Sequence, residues 1–150
     1  MIFVTVGTTM PFDELFQEVD RLVASGALTD EVVCQIGQSA YEPKHCAFFK
    51  FKPSIQAEME AADMLFVHGG TGSTLGALEL KKPFVAFVNP RSAGDHQAEF
   101  LQELEREFQI VWSREVTDML ALYEKSRRDF HPVDVGKTKI ADTLFALLRS

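Results

Sequence analysis

The sequence predicts an α/β protein with a doubly wound, mostly parallel sheet. Short runs rich in β-branched and aromatic residues alternate along the chain with segments whose apolar residues recur at helical spacing. That alternation is typical of units in which helices cover both faces of a parallel sheet. No repeat or low-complexity linker interrupts the 150 residues. We therefore expect a single domain over residues 1–150.

The first half of the chain contains three predicted strands and two predicted helices. The first helix begins with Pro11, which suits a first helical turn, and it stops at Gly26. Its apolar residues fall on one stripe, so it should pack against the sheet. The strands cover residues 2–6, 32–36 and 47–51, and the second helix starts at Pro53 and Ser54.

The second half continues the same alternation. A buried strand leads through a glycine-rich turn into a helix that runs to about residue 81, and Pro83 precedes the next buried strand. We expect the resulting βαβ unit to be right-handed. The predicted elements are strands over residues 64–67, 84–88 and 109–112, and helices over 95–107, 116–123 and 136–148.

The most informative stretch is the turn His68-Gly69-Gly70-Thr71-Gly72-Ser73-Thr74, which joins a predicted strand to a predicted helix. Its glycines let backbone amides approach a ligand, and the unpaired N–H groups of a first helical turn favour negative charge. Ser73 and Thr74 add hydroxyl donors. Because open parallel sheets bind ligands at the carboxyl ends of their strands, the turn predicts a site for a phosphorylated ligand. The alternative is a tight turn whose glycines serve its geometry alone.

The common phosphate and nucleophile motifs do not match this chain. A P-loop ends in Gly-Lys-Ser/Thr, which the turn lacks. A nucleophile elbow around Ser73 would need glycines where Thr71 and Leu75 stand. The segment Gly7-Thr8-Thr9-Met10, after the first strand, lacks the glycine fingerprint of dinucleotide-binding oxidoreductases, so that class is disfavoured.

Composition disfavours several other classes. The formal net charge of −7 argues against a general nucleic-acid or anionic-membrane surface. No apolar run reaches the roughly 18 residues that span a bilayer. Cys34 and Cys46 show no paired ligand spacing with the four histidines, and no Asp-x-Asp pair is present, so we expect no metal site. Without a secretory signal, free thiols in a reducing cytoplasm are expected.

A second loop, residues 89–97, follows the next strand and should lie at the same edge of the sheet as the glycine-rich turn. Asp95 and Gln97 in this loop suit sugar hydroxyls, which both donate and accept hydrogen bonds. His96, between them, is interpreted as a capping or surface histidine. The two loops together predict a ligand with a phosphorylated part and a hydroxylated part.

Five short motifs together resemble the C-terminal domain of glycosyltransferase family 28. They are Gly7-Thr8-Thr9, the turn of residues 68–74, Lys82-Pro83, Asn89-Pro90 and Asp95-His96-Gln97. More narrowly, the chain resembles the soluble donor-binding subunits of two-chain UDP-sugar transferases. Those include the eukaryotic enzyme that adds the second N-acetylglucosamine to the dolichol-linked carrier, and bacterial enzymes of exopolysaccharide and capsule assembly. The resemblance covers nearly the whole chain.

The resemblance implies a Rossmann-like domain, equivalent to the C-terminal half of a GT-B glycosyltransferase, that binds a UDP-sugar and needs no metal or other cofactor. The acceptor-binding half would be a separate membrane-anchored subunit, and this chain would be cytoplasmic and peripheral to the membrane through that partner. The residues implied to bind the donor are Gly7, Thr8, His68, Gly70, Thr71, Gly72, Ser73, Asp95 and Gln97.

The implied roles follow the positions of these residues. The turn from His68 to Ser73 would hold the diphosphate, and Asp95 and Gln97 would contact the transferred sugar. His68 is the candidate catalytic residue, either as a phosphate contact or as the base that deprotonates the acceptor hydroxyl. We expect the base to come from the partner, which closes the cleft from the opposite side. The implied reaction is transfer of a hexosyl group to a lipid-linked acceptor in exopolysaccharide, capsule or glycolipid biosynthesis.

One position departs from the family pattern. Eight residues after the leading histidine, related domains place an acidic residue that accepts hydrogen bonds from the ribose, and this chain has Gly76. The loss should weaken nucleotide binding roughly ten- to a hundredfold. Glu79, three residues on, is interpreted as a solvated helix residue. The departure motivates an alternative function, a non-catalytic adaptor that stabilises or recruits a membrane-bound glycosyltransferase.

The last predicted helix carries an apolar stripe, which allows two interpretations. The stripe could pack against the sheet of this domain, or it could dock the membrane-anchored partner. Its members are Ile140, Ala141, Leu144, Phe145 and Leu148.

Overall fold

Six strands form one sheet in which every neighbouring pair is parallel. The computed structural model describes residues 1–8, 10–92 and 95–132. The strands are β1 Ile2–Thr5, β2 Val32–Gln35, β3 Ala47–Phe49, β4 Met64–His68, β5 Phe84–Phe87 and β6 Val111–Ser113. Their order across the sheet is β3-β2-β1-β4-β5-β6. The predicted doubly wound α/β fold is therefore confirmed.

Within the residues that the structure describes, five α-helices and one 3₁₀-helix connect or follow these strands. They are α1 Asp13–Ala24, α2 Gln56–Ala61, α3 Thr71–Glu79, α4 His96–Glu107, the 3₁₀-helix Val116–Asp118 and α5 Met119–Asp129. Helices α1 and α5 pack on one face of the sheet, and α2, α3 and α4 pack on the other. Across the described residues, no helix is long and apolar enough to cross a membrane.

The strands are apolar on both sides because both faces of the sheet are covered. Successive side chains of a strand point to opposite faces. Thus Ile2 and Val4 of β1 join the core under α1 and α5, whereas Phe3 joins the core under α2, α3 and α4. All three side chains are fully buried. Cys34, which the sequence also assigns to the core, is fully buried in β2.

The strand order reverses between β1 and β4. The chain runs outward from β1 through β2 to β3, then crosses back to β4 on the other side of β1 and runs outward to β6. At such a reversal the loops after the two central strands turn away in opposite directions and leave a crevice between them. Here the loop after β1 begins at Val6 and Gly7, and the turn after β4 begins at Gly69.

Several element boundaries differ from the predicted ones. Strand β4 includes His68 because His68 pairs with Phe87 of β5. Helix α1 begins at Asp13, two residues after Pro11, because Phe12 has the non-helical backbone of an N-cap residue, and the Phe12 N–H donates to the Ser39 hydroxyl. Strand β3 ends at residue 49, and β6 starts at Val111, two residues later than predicted.

The carboxyl-terminal part also differs from its prediction. The helix predicted over residues 116–123 is a 3₁₀-helix followed by α5, which continues to Asp129. The helix predicted over residues 136–148, with its apolar stripe, lies outside the described residues.

Candidate active site at the strand-order reversal

The imidazole of His68 lies in the crevice between the loops after β1 and β4. Gly7, after β1, adopts a positive φ of 76°. A Cβ atom added at Gly7 would lie 2.9 Å from His68 Nε2, and one added at Gly70 would overlap the His68 ring. The two glycines therefore leave room for a histidine ring as well as shaping their turns.

The amino terminus of α3 opens into the same crevice. Gly70 is the N-cap in an extended conformation, and no side chain caps this helix end. The first bond of the helix runs from Thr74 N to Gly70 O at 3.1 Å, so the preceding amides lack carbonyl partners within the helix. Thr71 and Gly72 are exposed. Unpaired amides and the positive end of the helix dipole together favour an anion at this position.

Two polar side chains flank the His68 ring. Ser73 Oγ lies 3.2 Å from Nε2, and the Gln97 amide nitrogen lies 3.5 Å from Nδ1. Burial lowers the pKa of His68, because desolvation penalises the charged imidazolium. The ring is therefore neutral at pH 7, with one nitrogen protonated and the other bearing a lone pair.

Gln97, in the first turn of α4, is buried and bonded to protein at both ends of its amide. Its Oε1 accepts a hydrogen bond from the Asn89 backbone N–H at 2.8 Å, and its nitrogen faces His68. The amide therefore joins α4 and the loop after β5 to the ring in the crevice. The predicted contact between Gln97 and a sugar would have to use the second N–H of the amide or the second lone pair of Oε1.

Asp95 lies at the rim, immediately before α4. Its side chain is exposed, and Oδ1 forms an ion pair with Arg114 Nη1 at 3.0 Å. His96 is exposed too and approaches Glu99 on its own helix at 3.8 Å, so it is a surface histidine, as interpreted from the sequence. Thr8 is exposed, with its carbonyl accepting from Gln38 Nε2 at 3.1 Å.

Of the residues implied by the resemblance, the structure gathers Gly7, His68, Gly70, Ser73 and Gln97 around one imidazole. Thr71 and Gly72 lie on the exposed first turn of α3. Asp95 and Thr8 lie outside this cluster, at the rim.

Two supporting residues were not predicted. Gln35, at the end of β2, donates to the carbonyls of Gly7 at 3.2 Å and Lys50 at 2.9 Å, which holds the loop after β1. Asn89 Nδ2 donates to the Pro11 carbonyl at 3.0 Å and so ties the loop after β5 to the start of α1. For Gln35 a signal was available, since it is the one polar residue in the apolar run from Val32 to Ile36.

Gly76 lies in the second turn of α3 with space beside it. A Cβ atom there would meet only Met59 Cε, at 3.8 Å. Glu79, at the end of α3, is exposed. The family pattern has an acidic side chain at this position, and here the space beside the helix holds no carboxylate.

Metal-ligating side chains are dispersed in the part of the chain that the structure describes. Within it, no three His, Cys, Asp or Glu side chains gather in a way that could hold a metal ion. Cys34 and Cys46 are free thiols.

Several proteins to which this chain is similar are named as glycosyltransferases or as subunits of them. The mouse (Mus musculus) UDP-N-acetylglucosamine transferase subunit ALG13 is 34% identical over 73% of this chain, which spans only 10% of that relative's length. An NMR solution structure of ALG13 superposes with a TM-score of 0.63 at 20% identity, covering 95% of this chain and 93% of that one.

A crystal structure of the glycosyltransferase of kitacinnamycin superposes with a TM-score of 0.58 at 19% identity, over 98% of this chain and 38% of that one. These likenesses identify the fold as that of the C-terminal half of a GT-B glycosyltransferase. The model of the glycosyltransferase family 28 C-terminal domain matches residues 1–127. This chain, with its glycine-lined crevice at the strand-order reversal, therefore belongs to the glycosyltransferase family 28 C-terminal domain family.

Proposed function

We propose that this chain is the donor-binding subunit of a two-chain glycosyltransferase that uses a UDP-sugar. The observation that carries the proposal is the uncapped amino terminus of α3 beside a neutral His68 at the strand-order reversal. The relative described above is named as a UDP-N-acetylglucosamine transferase subunit, which supports a uridine nucleotide as donor. The amides of residues 71–73 and the Ser73 hydroxyl would bind the diphosphate.

The same groups would stabilise the departing nucleotide. As the bond from the sugar to the β-phosphate breaks, negative charge develops on the phosphate oxygens. Amides held by the α3 backbone and the positive end of its dipole are already oriented towards that charge, so they need not reorganise. Asp95, at the rim, would contact the transferred hexosyl group, with its carboxylate oriented by Arg114.

The acceptor half of the reaction is assigned to a partner. We propose a membrane-anchored subunit that binds a lipid-linked acceptor, supplies the base and holds this chain at the cytoplasmic face of the membrane. In a two-domain cleft the acceptor hydroxyl approaches from the side opposite the diphosphate, which favours a base on the partner. The product would belong to exopolysaccharide, capsule or glycolipid biosynthesis.

A thermal-unfolding titration of the full chain tests donor binding. UDP is expected to raise the unfolding temperature and AMP to have no effect; at a UDP concentration a hundredfold above Kd the stabilisation is about 2.7 kcal/mol. Ser73→Ala should weaken UDP binding about tenfold, because a hydroxyl bonded to a charged phosphate is lost. Thr29→Ala, exposed in the segment before the amino end of β2 and so at the opposite edge of the sheet, is the matched control. No response of the wild-type chain to millimolar UDP would remove the proposal.

A second candidate function, a non-catalytic adaptor, is favoured by Gly76. The chain would then bind nucleotide weakly or not at all while still binding its glycosyltransferase partner. The added Cβ at this position meets only Met59 Cε, at an ordinary contact distance of 3.8 Å, so Gly76→Glu is a suitable way to restore a carboxylate there. In the same titration this variant should bind UDP roughly tenfold more tightly if Gly76 accounts for weak binding. Co-purification with the partner but no response to UDP in either form would favour the adaptor.

A further inference from the structure

We propose that Gln97 is a positioning residue that holds the proton of the neutral His68 ring on Nε2, so that the ring acts as a hydrogen-bond donor in the crevice. The inference concerns a tautomer and is independent of the ligand. Its consequence for phosphate binding rests on the proposed function.

The orientation of the Gln97 amide follows from a backbone group. The atom 2.8 Å from the Asn89 nitrogen must be an acceptor, because a backbone N–H can only donate. That atom is therefore the amide oxygen, Oε1. The amide nitrogen is then the atom 3.5 Å from His68 Nδ1, and it can only donate.

The tautomer of His68 follows from that orientation. A ring nitrogen that accepts from Gln97 carries a lone pair, so the single proton of the neutral ring lies on Nε2. Nε2 is 3.2 Å from Ser73 Oγ and donates to it. Since Oγ accepts this bond, the hydroxyl proton of Ser73 remains available to a ligand at the amino terminus of α3.

The two hydrogen bonds favour one orientation of the His68 ring. A flip would exchange each nitrogen with a carbon atom, and both Gln97 and Ser73 would lose their partners. The ring also fits closely between two backbones, because a Cβ at Gly7 or at Gly70 would come within 2.9 Å of a ring nitrogen. On the far side, a Cβ at Gly69 would lie 3.2 Å from the Gln97 Cβ. The backbone thus holds the ring beside Gln97, and the hydrogen bonds select its orientation.

The assignment separates the two roles considered for His68. With Nδ1 closed by Gln97 and Nε2 protonated, the resting ring has no lone pair with which to take a proton from an acceptor. Its Nε2–H, which donates to Ser73 Oγ in the chain without ligand, can donate to an anion instead, and the ring then carries no charge of its own. His68 is therefore a contact for the phosphate of the departing nucleotide, and not the base.

The test is a nitrogen-15 NMR measurement of the His68 ring in the full chain without ligand. We expect Nε2 protonated and Nδ1 unprotonated. Gln97→Glu keeps an acceptor for Asn89 but places a carboxylate oxygen at Nδ1, so Nδ1 should become protonated. Gln102→Glu, exposed on the same helix, adds the same charge and should leave the tautomer unchanged. Gln97→Met, which does not bury a carboxylate, should give a mixture of both tautomers.

A wild-type ring protonated at Nδ1, or one indifferent to both Gln97 substitutions in folded protein, would overturn the assignment. Thermal unfolding of each variant reports whether it is folded. In the titration, the Gln97→Glu variant should bind UDP about tenfold more weakly than the Gln102→Glu variant. The reason is that His68 Nε2 then carries a lone pair in place of its proton. A wild-type chain with the expected tautomer that does not bind UDP would remove the proposed function and leave the role of Gln97 standing.

Discussion

His68 occupies a space that exists only because two residues near it have no side chain. Gly7 and Gly70 are far apart in the sequence, yet an added Cβ at either one would meet the same ring. Gly72, two residues further along α3, has nothing within 4 Å of its added Cβ. Two glycines of the turn therefore serve different purposes. Gly70 makes room for the His68 ring, and Gly72 leaves the amino end of α3 accessible.

This difference predicts opposite effects of alanine at two nearby glycines. Gly70→Ala should lower the free energy of unfolding by about 1–3 kcal/mol, because the new methyl group forces the His68 ring to move. Gly72→Ala should leave it unchanged or raise it by up to about 1 kcal/mol, since alanine is the better helix former. Urea unfolding followed by circular dichroism measures both. Equal destabilisation by the two substitutions would contradict the role given to Gly70.

At the scale of elements, the end of α2 depends on a lysine from the segment before β5. Lys82 Nζ donates to the carbonyls of Met59 at 3.1 Å and Ala62 at 2.6 Å, and to that of Glu60. The carbonyls of Met59 and Glu60 belong to the last turn of α2 and have no partners within the helix, and Ala62 is its C-cap residue. A cation at this end also suits the helix dipole. The Lys82-Pro83 motif of the family resemblance therefore has a structural purpose here.

We expect Lys82→Met to loosen α2 while leaving the sheet intact. The methionine keeps an apolar stem but loses the ammonium group, so the free energy of unfolding should fall by about 1–2 kcal/mol. Hydrogen exchange should become faster at the amides of residues 59–61. Lys125→Met, on the exposed side of α5, is the control. Unchanged exchange in α2 would show that the three carbonyls are satisfied without Lys82.

At the scale of the whole molecule, stability in acid depends on a buried carboxylate of α1. Asp20 is 3% exposed and accepts from the Tyr41 hydroxyl at 2.6 Å, Lys44 N at 3.0 Å and His45 N at 2.7 Å. Burial alone would raise the pKa of Asp20, but these hydrogen bonds outweigh it and the pKa is lowered. The loop between β2 and β3 is thus fastened to α1 by an ionised group.

The sign of the pH dependence follows from linkage. Because the pKa of Asp20 is lower in the folded than in the unfolded chain, its contribution is complete above the unfolded pKa of about 3.9 and is lost as the pH falls through the folded value. Asp20→Asn should lower the free energy of unfolding by about 1–3 kcal/mol at pH 7, with a smaller difference in strong acid.

Urea unfolding at pH 7 and at pH 3 measures this difference. Asp129→Asn, which breaks an exposed ion pair with Arg128, should change stability little at either pH. A constant effect of Asp20→Asn at both pH values would show that Asp20 does not titrate as described.

The local pattern of the chain carries most of the architecture. Apolar strands at regular intervals require coverage on both faces, so alternation alone led to a parallel sheet. The glycines of the turn after β4 predict an anion site there. The first and last residues of the elements were harder to predict from the sequence. His68 belongs to a strand because of its pairing with Phe87, and the helix after β6 starts as a 3₁₀ turn. Neither fact has a local signal.

The construction of the site, in contrast, depends on contacts between distant parts of the chain. Crossing from β3 back to β4 places Gly7 against His68, and the fold of α4 over β5 brings Gln97 to Nδ1 of the same ring. The sequence could identify Gln97 as a candidate binding residue because its side chain is polar. A side-chain amide, however, can bond equally well to a sugar hydroxyl or to a buried imidazole. Two facts distinguish these roles: the Gln97 side chain is buried, and its oxygen accepts a hydrogen bond from the Asn89 N–H. Both arise only once the strands and helices have packed together.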